Sequence, residues 1–228
     1  MSITSPRFEE DHSTLEIHPN LFEKSDEGSI AGDSMRVLLA SASERRGAIL
    51  RELFPHIEQR PLKDVDESVP ADVLSQQVLT VASRKASAVQ LDDSFDVHIV
   101  ADTLVEDPDD ERQALGKPHS KAQATSMLLR LRGRRHRVWS ATMVHTSNGW
   151  NSSVEHAIVE VDDFSDDVLV NLIESNSWVG KAGGYDLAGV MGQHAKLIEG
   201  SEYTVLGFTQ TSLNLLNDLQ SFFSMSRS

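Results

Sequence analysis

The chain has 228 residues, of which 39% are hydrophobic and 25% are charged, a composition typical of a globular protein with one sizeable domain. Its net charge of −14 disfavours broad binding to nucleic acid or to an anionic membrane, whereas a local cluster of Arg and Lys can still bind a small phosphorylated molecule. The sequence contains no cysteine, which excludes disulfides, thiolate metal sites and a cysteine nucleophile. It also has no apolar run long enough to cross a bilayer and no signal-peptide pattern, so we expect a cytoplasmic protein that binds neither nucleic acid nor membrane.

Residues 1–34 differ from the rest of the chain. They contain eight acidic residues against only Arg7 and Lys24, and they show no sustained hydrophobic periodicity. This composition predicts a disordered, mobile extension, with the folded domain over residues 35–228. The alternative is a short docked element, because four apolar side chains fall in this stretch: Leu15, Ile17, Leu21 and Phe22.

The first regular unit of the domain is a strand, a turn and a helix that follow one another without a gap. Residues 37–40 predict a buried strand, Ser43 is a good helix N-cap, and Pro55 ends the helix. This unit aims backbone N–H groups and the positive end of a helix dipole at one point. Because Arg45 and Arg46 lie in the first helical turn, the unit favours anion binding; the alternative is an ordinary crossover with two solvated arginines.

Two later segments bring charged side chains to the ends of elements. A helix is predicted from about Pro70 to about Gln90, and Lys85 falls on its apolar face, where it either extends to solvent or contacts an anion. A buried strand is predicted over residues 97–101, and Asp102 stands at its end. A carboxylate in this position is common in active sites of α/β proteins, and equally common as a turn cap.

The remaining pattern alternates helices with strands and then introduces a hairpin. Ser120 and Ser165 are predicted to begin helices, and the glycine-rich stretch 180–189 is predicted to be a loop in which the backbone approaches another group closely. The other predicted elements are strands at 138–144, 154–161, 195–199 and 204–206 and a helix at 211–223. Together these elements predict an α/β fold with a mixed sheet.

Candidate functional side chains collect in the predicted loops and at the ends of elements. They are Ser43, Arg45, Arg46, Glu67, Lys85, Asp102, Lys117 and Lys181. Cations of this kind bind phosphates, whereas isolated carboxylates hold Mg²⁺ or Mn²⁺ and accept a proton from water. No single residue in the set is diagnostic, but their order along the chain is informative.

In that order the sequence resembles the Maf family of nucleoside triphosphate pyrophosphatases over roughly residues 36–220. The opening turn, residues 39–46, is similar to the family's LASxSPRR, and Asp66-Glu67 is similar to its acidic pair. The other matching segments are 82–89 (the lysine helix), 101–105 (ADTxV), 115–118 (LGKP), 127–138 (MLxxLxGxxHxV) and 181–185 (KAGAY).

The resemblance implies an α/β fold of the Maf/ITPase-like type, in which a mixed, strongly twisted sheet is flanked by helices around a central cleft, commonly as a homodimer. It implies hydrolysis of a nucleoside triphosphate between the α and β phosphates, with Mg²⁺ or Mn²⁺ as cofactor. Carried over by position, Asp102 is the general base and holds the metal together with Glu67. The triphosphate contacts are Ser43, Arg45, Arg46, Lys85 and Lys117, base selection falls to Arg45, Thr103 and Ala188, and Lys181 is a further candidate.

The chain departs from the family pattern at several positions. Glu44 replaces the proline of SPRR, Gly180 replaces the aspartate before KAG, and Ala188 replaces the glutamine that reads the base. Thr103 fits the branch that acts on dTTP and UTP better than the branch that acts on 7-methyl-GTP, which has glutamine there. Because an alanine side chain has no hydrogen-bonding group, one base contact is missing and the preferred base stays open. Asp186 is a candidate replacement.

From the resemblance we expect a metal-dependent hydrolase that acts on pyrimidine or non-canonical nucleoside triphosphates. The alternative is a catalytically weak nucleotide-binding regulator linked to cell division, as the family's septum-formation name suggests. A third hypothesis is an interaction protein that acts mainly through its acidic extension.

Overall fold

The computed structural model describes residues 34–225, and residues 1–33 and 226–228 lie outside it. The predicted extension over residues 1–34 therefore falls almost entirely outside the described residues. Within residues 34–225, no helix combines the length and the hydrophobicity that a membrane span requires.

The described residues form seven strands and six helices. The strands are β1 (Val37–Leu39), β2 (Ile57–Gln59), β3 (Val97–Asp107), β4 (Asp110–Leu115), β5 (Arg135–Thr146), β6 (Gly149–Val161) and β7 (Ala195–Glu199). The helices are α1 (Glu44–Leu53), α2 (Leu74–Ala88), α3 (Lys121–Leu131), α4 (Asp166–Glu174), α5 (Glu202–Leu206) and α6 (Gln210–Met225). Two short 3₁₀ turns also occur: Ala182–Gly184 lies within the glycine-rich stretch, and Val190–Gln193 follows it.

The strands form one mixed sheet in the order β2-β1-β3-β5-β6-β7, and β4 also pairs with β3. β1 runs parallel to both β2 and β3, whereas the β3–β5, β5–β6 and β6–β7 pairs are antiparallel. The predicted α/β fold, with a mixed, twisted sheet flanked by helices, is confirmed.

A gap in the pairing of β3 determines where the cleft forms. β1 pairs with β3 only as far as Ile99, and β4 pairs with it only from Val105 onward. Between these points β3 is paired with β5 on its other side, where Asp102 lies opposite Ala141. The loop after β1 and the loop after β4 therefore meet at one open stretch of β3.

Hydrophobic clusters hold the elements around this gap. One cluster combines α1 and α6 with β1 and β3 and contains Phe54 and Phe208, both almost fully buried. Another combines α3 and α4 with β5 and β6 and includes Leu128. α2 packs elsewhere on the sheet, through Val78 and Ala82 against side chains of β5. The ends of elements that border the gap are therefore fixed to a packed core.

Three of the predicted helix starts are confirmed by side-chain caps. The hydroxyl of Ser43 accepts a hydrogen bond from the N–H of Arg46 at 3.4 Å, and Ser120 and Ser165 cap α3 and α4 in the same way. Each of these bonds satisfies an N–H that the first helical turn leaves without an intrahelical partner.

The start of α2 was predicted too early. The helix begins at Leu74 rather than near Pro70, and its N-cap position, Val73, has no side-chain cap. Asp72 accepts a hydrogen bond from the N–H of Val73 at 2.7 Å, and this local contact holds the segment outside the helix.

The predicted strand at 204–206 is wrong, because these residues lie in helix α5. Ser201 caps the helix by accepting a hydrogen bond from the N–H of Tyr203 at 3.2 Å. Gly207 ends it with a left-handed φ of 118°. In so short a run, β-branched residues look strand-like, and periodicity alone cannot separate a strand from one helical turn.

Candidate active site

A cleft of about 530 Å³ opens at the gap beside β3. Nine of the ten site residues predicted from the sequence line it: Ser43, Arg45, Arg46, Glu67, Lys85, Asp102, Thr103, Lys117 and Lys181. The tenth, Ala188, is exposed and is not among the lining residues. The fold therefore collects side chains that are up to 138 positions apart in the chain into one concave site.

A lysine bridges two carboxylates at the centre of the cleft. Nζ of Lys85 lies 2.7 Å from Oδ1 of Asp102 and 2.7 Å from Oε1 of Glu67. Lys85 and Asp102 are largely buried, whereas the Glu67 side chain is about half exposed. Of the two alternatives left open for Lys85, the structure therefore shows contact with anions rather than extension to solvent.

The pKa of Glu67 reflects the same cluster. Burial alone would raise the pKa of this carboxyl, but the hydrogen bond from Lys85 and the nearby positive charges outweigh that effect and hold the pKa below its ordinary value. The charges come from Lys85, Lys117 and Arg46. Glu67 is therefore ionised at neutral pH and available as an anionic ligand.

Arg46 is held in place by three hydrogen bonds from its guanidinium group. Nε donates to the carbonyl of Gly207 at 3.0 Å, Nη2 to the hydroxyl of Thr103 at 2.8 Å, and Nη1 to the hydroxyl of Ser41 at 3.3 Å. Burial lowers the pKa of Arg46 to about 10, a change that the charge of Asp102 partly opposes. The group is still cationic at neutral pH, so it presents a fixed positive charge to the cleft.

The Thr103 hydroxyl is engaged by the protein itself. Besides accepting from Arg46, it lies 2.9 Å from the hydroxyl of Ser140, which in turn donates to the carbonyl of Thr204 at 2.7 Å. This chain of hydrogen bonds ties Arg46 to α5 through β3 and β5. The role of Thr103 in base selection stays a prediction.

Two further cations, Arg45 and Lys181, share one carboxylate beside the cleft. Oδ1 of Asp186 lies 3.1 Å from Nη1 of Arg45, and its Oδ2 lies 3.3 Å from Nζ of Lys181. All three side chains are about three-quarters buried or more. Asp186, suggested from the sequence as a base contact, therefore binds two cations of the protein and is not among the residues that line the cleft.

The glycine-rich loop approaches the sheet closely, as predicted. The N–H of Gly183 donates to the carbonyl of Gly116 at 3.0 Å, directly before Lys117. Gly183 has a φ of 68°, and a Cβ at this position would lie 2.9 Å from a methyl carbon of Val105. Only glycine fits this turn, which holds the segment of Lys181 against the segment of Lys117.

Some residues of the cleft were missed by sequence reasoning. The Gly207 carbonyl binds Arg46, yet a backbone acceptor leaves no side-chain signal in a sequence. Asp64 lines the cleft with a left-handed φ of 56°, a conformation that is uncommon for residues other than glycine but that aspartate adopts more often than most. Ser41 lies inside the opening motif, and its hydroxyl group marks it as a possible ligand of the adjacent arginine.

The carboxylates of the cleft fit a divalent cation that also binds the substrate. Among residues 34–225, no three His, Asp or Glu side chains form a complete metal cage. However, Oδ2 of Asp102 is buried and has no hydrogen-bond partner there, and Glu67 is anionic. Mg²⁺ usually binds through one or two carboxylates together with phosphate oxygens and water, and this donor set matches that mode.

Comparison with known proteins agrees with this geometry. A family model described as Maf-like protein matches residues 36–219. The match covers most of the chain, which therefore belongs to the Maf-like family. The resemblance stated from the sequence motifs is confirmed.

Three curated relatives, each named dTTP/UTP pyrophosphatase, are similar over most of their length. The protein of Desulforamulus reducens is 32% identical over 180 residues, or 78% of this chain and 92% of the relative. That of Aquifex aeolicus is 33% identical over 174 residues (76% and 89%), and that of Bacteroides thetaiotaomicron is 32% identical over 178 residues (77% and 91%). The solved Ham1 protein of Staphylococcus aureus gives a TM-score of only 0.36 at 13% identity, over 56% of this chain and 72% of that one.

Proposed function

We propose that this protein hydrolyses nucleoside triphosphates to a nucleoside monophosphate and pyrophosphate. The observation that carries the proposal is the pair of carboxylates bridged by Lys85, which faces the fixed guanidinium of Arg46 in one cleft. Hydrolysis of a phosphoanhydride needs charge neutralisation and a positioned water more than covalent chemistry. The cations of the cleft, together with a divalent metal held by the carboxylates, would neutralise the phosphates, and Asp102 would position the water. The names of the curated relatives support the same reaction.

In this proposal the cations bind the triphosphate. Arg46 is preorganised by its three hydrogen bonds, so it loses little side-chain freedom when a phosphate binds. Lys117, two residues after the end of β4, and Lys85, in α2, also line the cleft. Ser43, which caps α1, places its hydroxyl and the positive end of the helix dipole at the same point.

Asp102 is the proposed general base. Lys85 donates a hydrogen bond to Oδ1, which fixes the carboxylate that would accept a proton from water. Glu67 and Asp102 would hold Mg²⁺ or Mn²⁺. When bound, the metal would neutralise charge on the phosphate oxygens.

We propose a pyrimidine or non-canonical nucleoside triphosphate as the substrate. The relatives' name, dTTP/UTP pyrophosphatase, supports a pyrimidine base. Ala188, at the position expected to read the base, is exposed and outside the cleft lining, so the base contacts of this chain differ from the family pattern. A panel of bases is therefore the appropriate test.

The test is pyrophosphate release by the purified protein with Mg²⁺ or Mn²⁺, using dTTP, UTP, CTP, dITP, XTP and 7-methyl-GTP. Asp102→Asn should reduce turnover by about 10²–10⁴-fold, as expected for loss of a general base. The matched control is Asp107→Asn, which alters another buried aspartate of β3 that pairs with Arg130 outside the cleft. We expect it to retain turnover at a temperature where it is folded.

Near-normal hydrolysis by Asp102→Asn would refute the assignment of the base. Absence of hydrolysis across the panel, with tight nucleotide binding retained, would instead favour the nucleotide-binding regulator. Metal dependence is tested separately by titrating Mg²⁺ or Mn²⁺ into metal-free protein. We expect turnover only after one of these metals is added.

A further inference from the structure

Gln59, the last residue of β2, contacts the back of the loop that follows β1. Its side-chain Nε2 donates to the carbonyl of Ser41 at 2.9 Å and to the carbonyl of Ser43 at 3.2 Å. Gln59 is partly buried and is not among the residues that line the cleft. It therefore contacts the loop from outside the cleft.

These two contacts orient two peptide planes. In a trans peptide the carbonyl and the following N–H point in opposite directions, and no cis peptide occurs among the described residues. When Gln59 holds the carbonyls of Ser41 and Ser43, the N–H groups of Ala42 and Glu44 point away from Gln59. Ala42 and Glu44 both line the cleft whereas Gln59 does not, which is the arrangement expected if these N–H groups face the cleft.

The neighbours of Gln59 fix the orientation of its amide. Nη2 of Arg51 donates to Oε1 of Gln59 at 3.1 Å, which leaves Nε2 for the two carbonyls. Gly47 supplies the space, since a Cβ there would lie 2.3 Å from Oε1. Glycine inside a helix is less favourable than alanine, and the close approach of Oε1 of Gln59 gives a reason for glycine at position 47.

We infer that Gln59 is a positioning residue for phosphate binding, because it directs the N–H groups of Ala42 and Glu44 at the anion. Backbone N–H groups of a turn that face one point can bind an anion; the N–H of Ser43, between these two residues, donates instead to the hydroxyl of Ser41 at 3.2 Å. This inference rests on the proposed function, since the anion is the phosphate chain of the proposed substrate. Phosphate binding would then depend on Gln59, a side chain that does not line the cleft.

The test measures binding of inorganic pyrophosphate by titration calorimetry, with MgCl₂ present. Gln59→Met keeps the size of the side chain but removes the donor. Hydrogen bonds to charged groups are among the stronger ones in proteins, so misalignment of two N–H groups should weaken binding about tenfold or more. In the hydrolysis assay KM should rise similarly for every nucleoside triphosphate, with the ratio between bases unchanged.

The matched control is Gln77→Met. Gln77 in α2 also donates from Nε2 to two backbone carbonyls, those of Asp72 and Arg112, but it does not line the cleft. The Gln77→Met variant therefore measures the effect of losing two comparable hydrogen bonds to backbone carbonyls outside the cleft. We expect its pyrophosphate affinity to match that of the wild type at equal folded fraction.

A second variant tests whether the position of the Gln59 amide affects pyrophosphate binding, without altering Gln59 itself. Gly47→Ala should displace the Gln59 amide and weaken pyrophosphate binding, while the same substitution in a Gln59→Ala background should have no further effect, because the clash is gone. If Gly47→Ala acted only by changing the stability of α1, its effect on pyrophosphate binding would be the same with Gln59 and with Ala at position 59.

Wild-type affinity in Gln59→Met, equal losses in Gln59→Met and Gln77→Met, or additive effects of Gly47→Ala and Gln59→Ala would each overturn the inference. Failure of the wild type to bind pyrophosphate would overturn it as well. Failure of the proposed function looks different, because pyrophosphate would then bind while no nucleoside triphosphate is hydrolysed.

Discussion

The buried pair of His136 and Tyr185 predicts a defined loss of stability in acid. Nε2 of His136 lies 2.7 Å from the Tyr185 hydroxyl, and its Nδ1 is buried without a hydrogen-bond partner among the described residues. Burial raises the pKa of Tyr185, so its hydroxyl stays protonated. A protonated imidazole would leave a charged N–H unpaired in the interior, which is strongly unfavourable.

The size of the effect follows from the pKa. Burial lowers the pKa of His136 from its ordinary 6.5 to about 4. Between these values the unfolded chain binds a proton at His136 and the folded chain does not, so the free energy of unfolding falls as the pH falls from 6.5 to 4. One pKa unit corresponds to about 1.4 kcal/mol, and the full loss is therefore roughly 3 kcal/mol.

The assay is urea-induced unfolding at several pH values between 8 and 4, for the wild type and for His136→Gln. Glutamine has no charged form, so this variant should lose roughly 3 kcal/mol less than the wild type over that range, whatever its stability at pH 8. The control, His119→Gln, removes an exposed histidine. We expect its pH profile to run parallel to that of the wild type.

Parallel profiles for the wild type and His136→Gln would refute the reasoning, because they would show that His136 binds the same number of protons in both states. The reasoning would also be refuted if the free energy of unfolding depended less on pH in His119→Gln than in His136→Gln.

Two further substitutions test contacts at the cleft. Gly207→Ala strains a backbone at φ 118° and places a carbon 2.7 Å from Nε of Arg46, so we expect about 1–2 kcal/mol lower stability in thermal unfolding and a several-fold higher KM. An unchanged KM would show that this contact does not position the guanidinium. Asp186→Asn removes the shared partner of Arg45 and Lys181 and makes the site one charge more positive, so KM at low salt should fall about two- to fivefold, and the difference should shrink as NaCl is raised. A salt-independent effect would contradict that electrostatic explanation.

Local sequence patterns predicted the structural features that depend only on residues close together in the chain. Ser43, Ser120 and Ser165 are N-caps because a hydroxyl before an amphipathic run satisfies helical N–H groups, and the structure confirms all three. The start of α6 shows the limit of such signals. Glu155, in β6, accepts hydrogen bonds from the N–H groups of Gln210 and Thr211, a cap that no local pattern reveals.

The site was predictable where the chemistry lies in side chains of a motif. Lys85 fell on an apolar helical face, where it would either extend to solvent or contact an anion, and the structure pairs it with Asp102 and Glu67. Gln59 carried no such signal, because it acts through backbone carbonyls after a three-residue strand that the sequence did not predict. Gly47 becomes informative only when Gln59 is seen beside it.

The net charge of −14 disfavours broad binding to polyanions but does not describe the cleft. Its lining contains five cationic side chains, Arg45, Arg46, Lys85, Lys117 and Lys181, and four carboxylates, Glu44, Asp64, Glu67 and Asp102. The formal charge of the lining is therefore +1, which is far too small to neutralise a triphosphate. A divalent metal between the phosphates and the central carboxylates would supply the missing charge and cancel the repulsion that those carboxylates exert on the substrate. We therefore expect triphosphate binding to weaken sharply without Mg²⁺ or Mn²⁺, and an affinity that is unaffected by a chelator would show that the cations of the protein suffice.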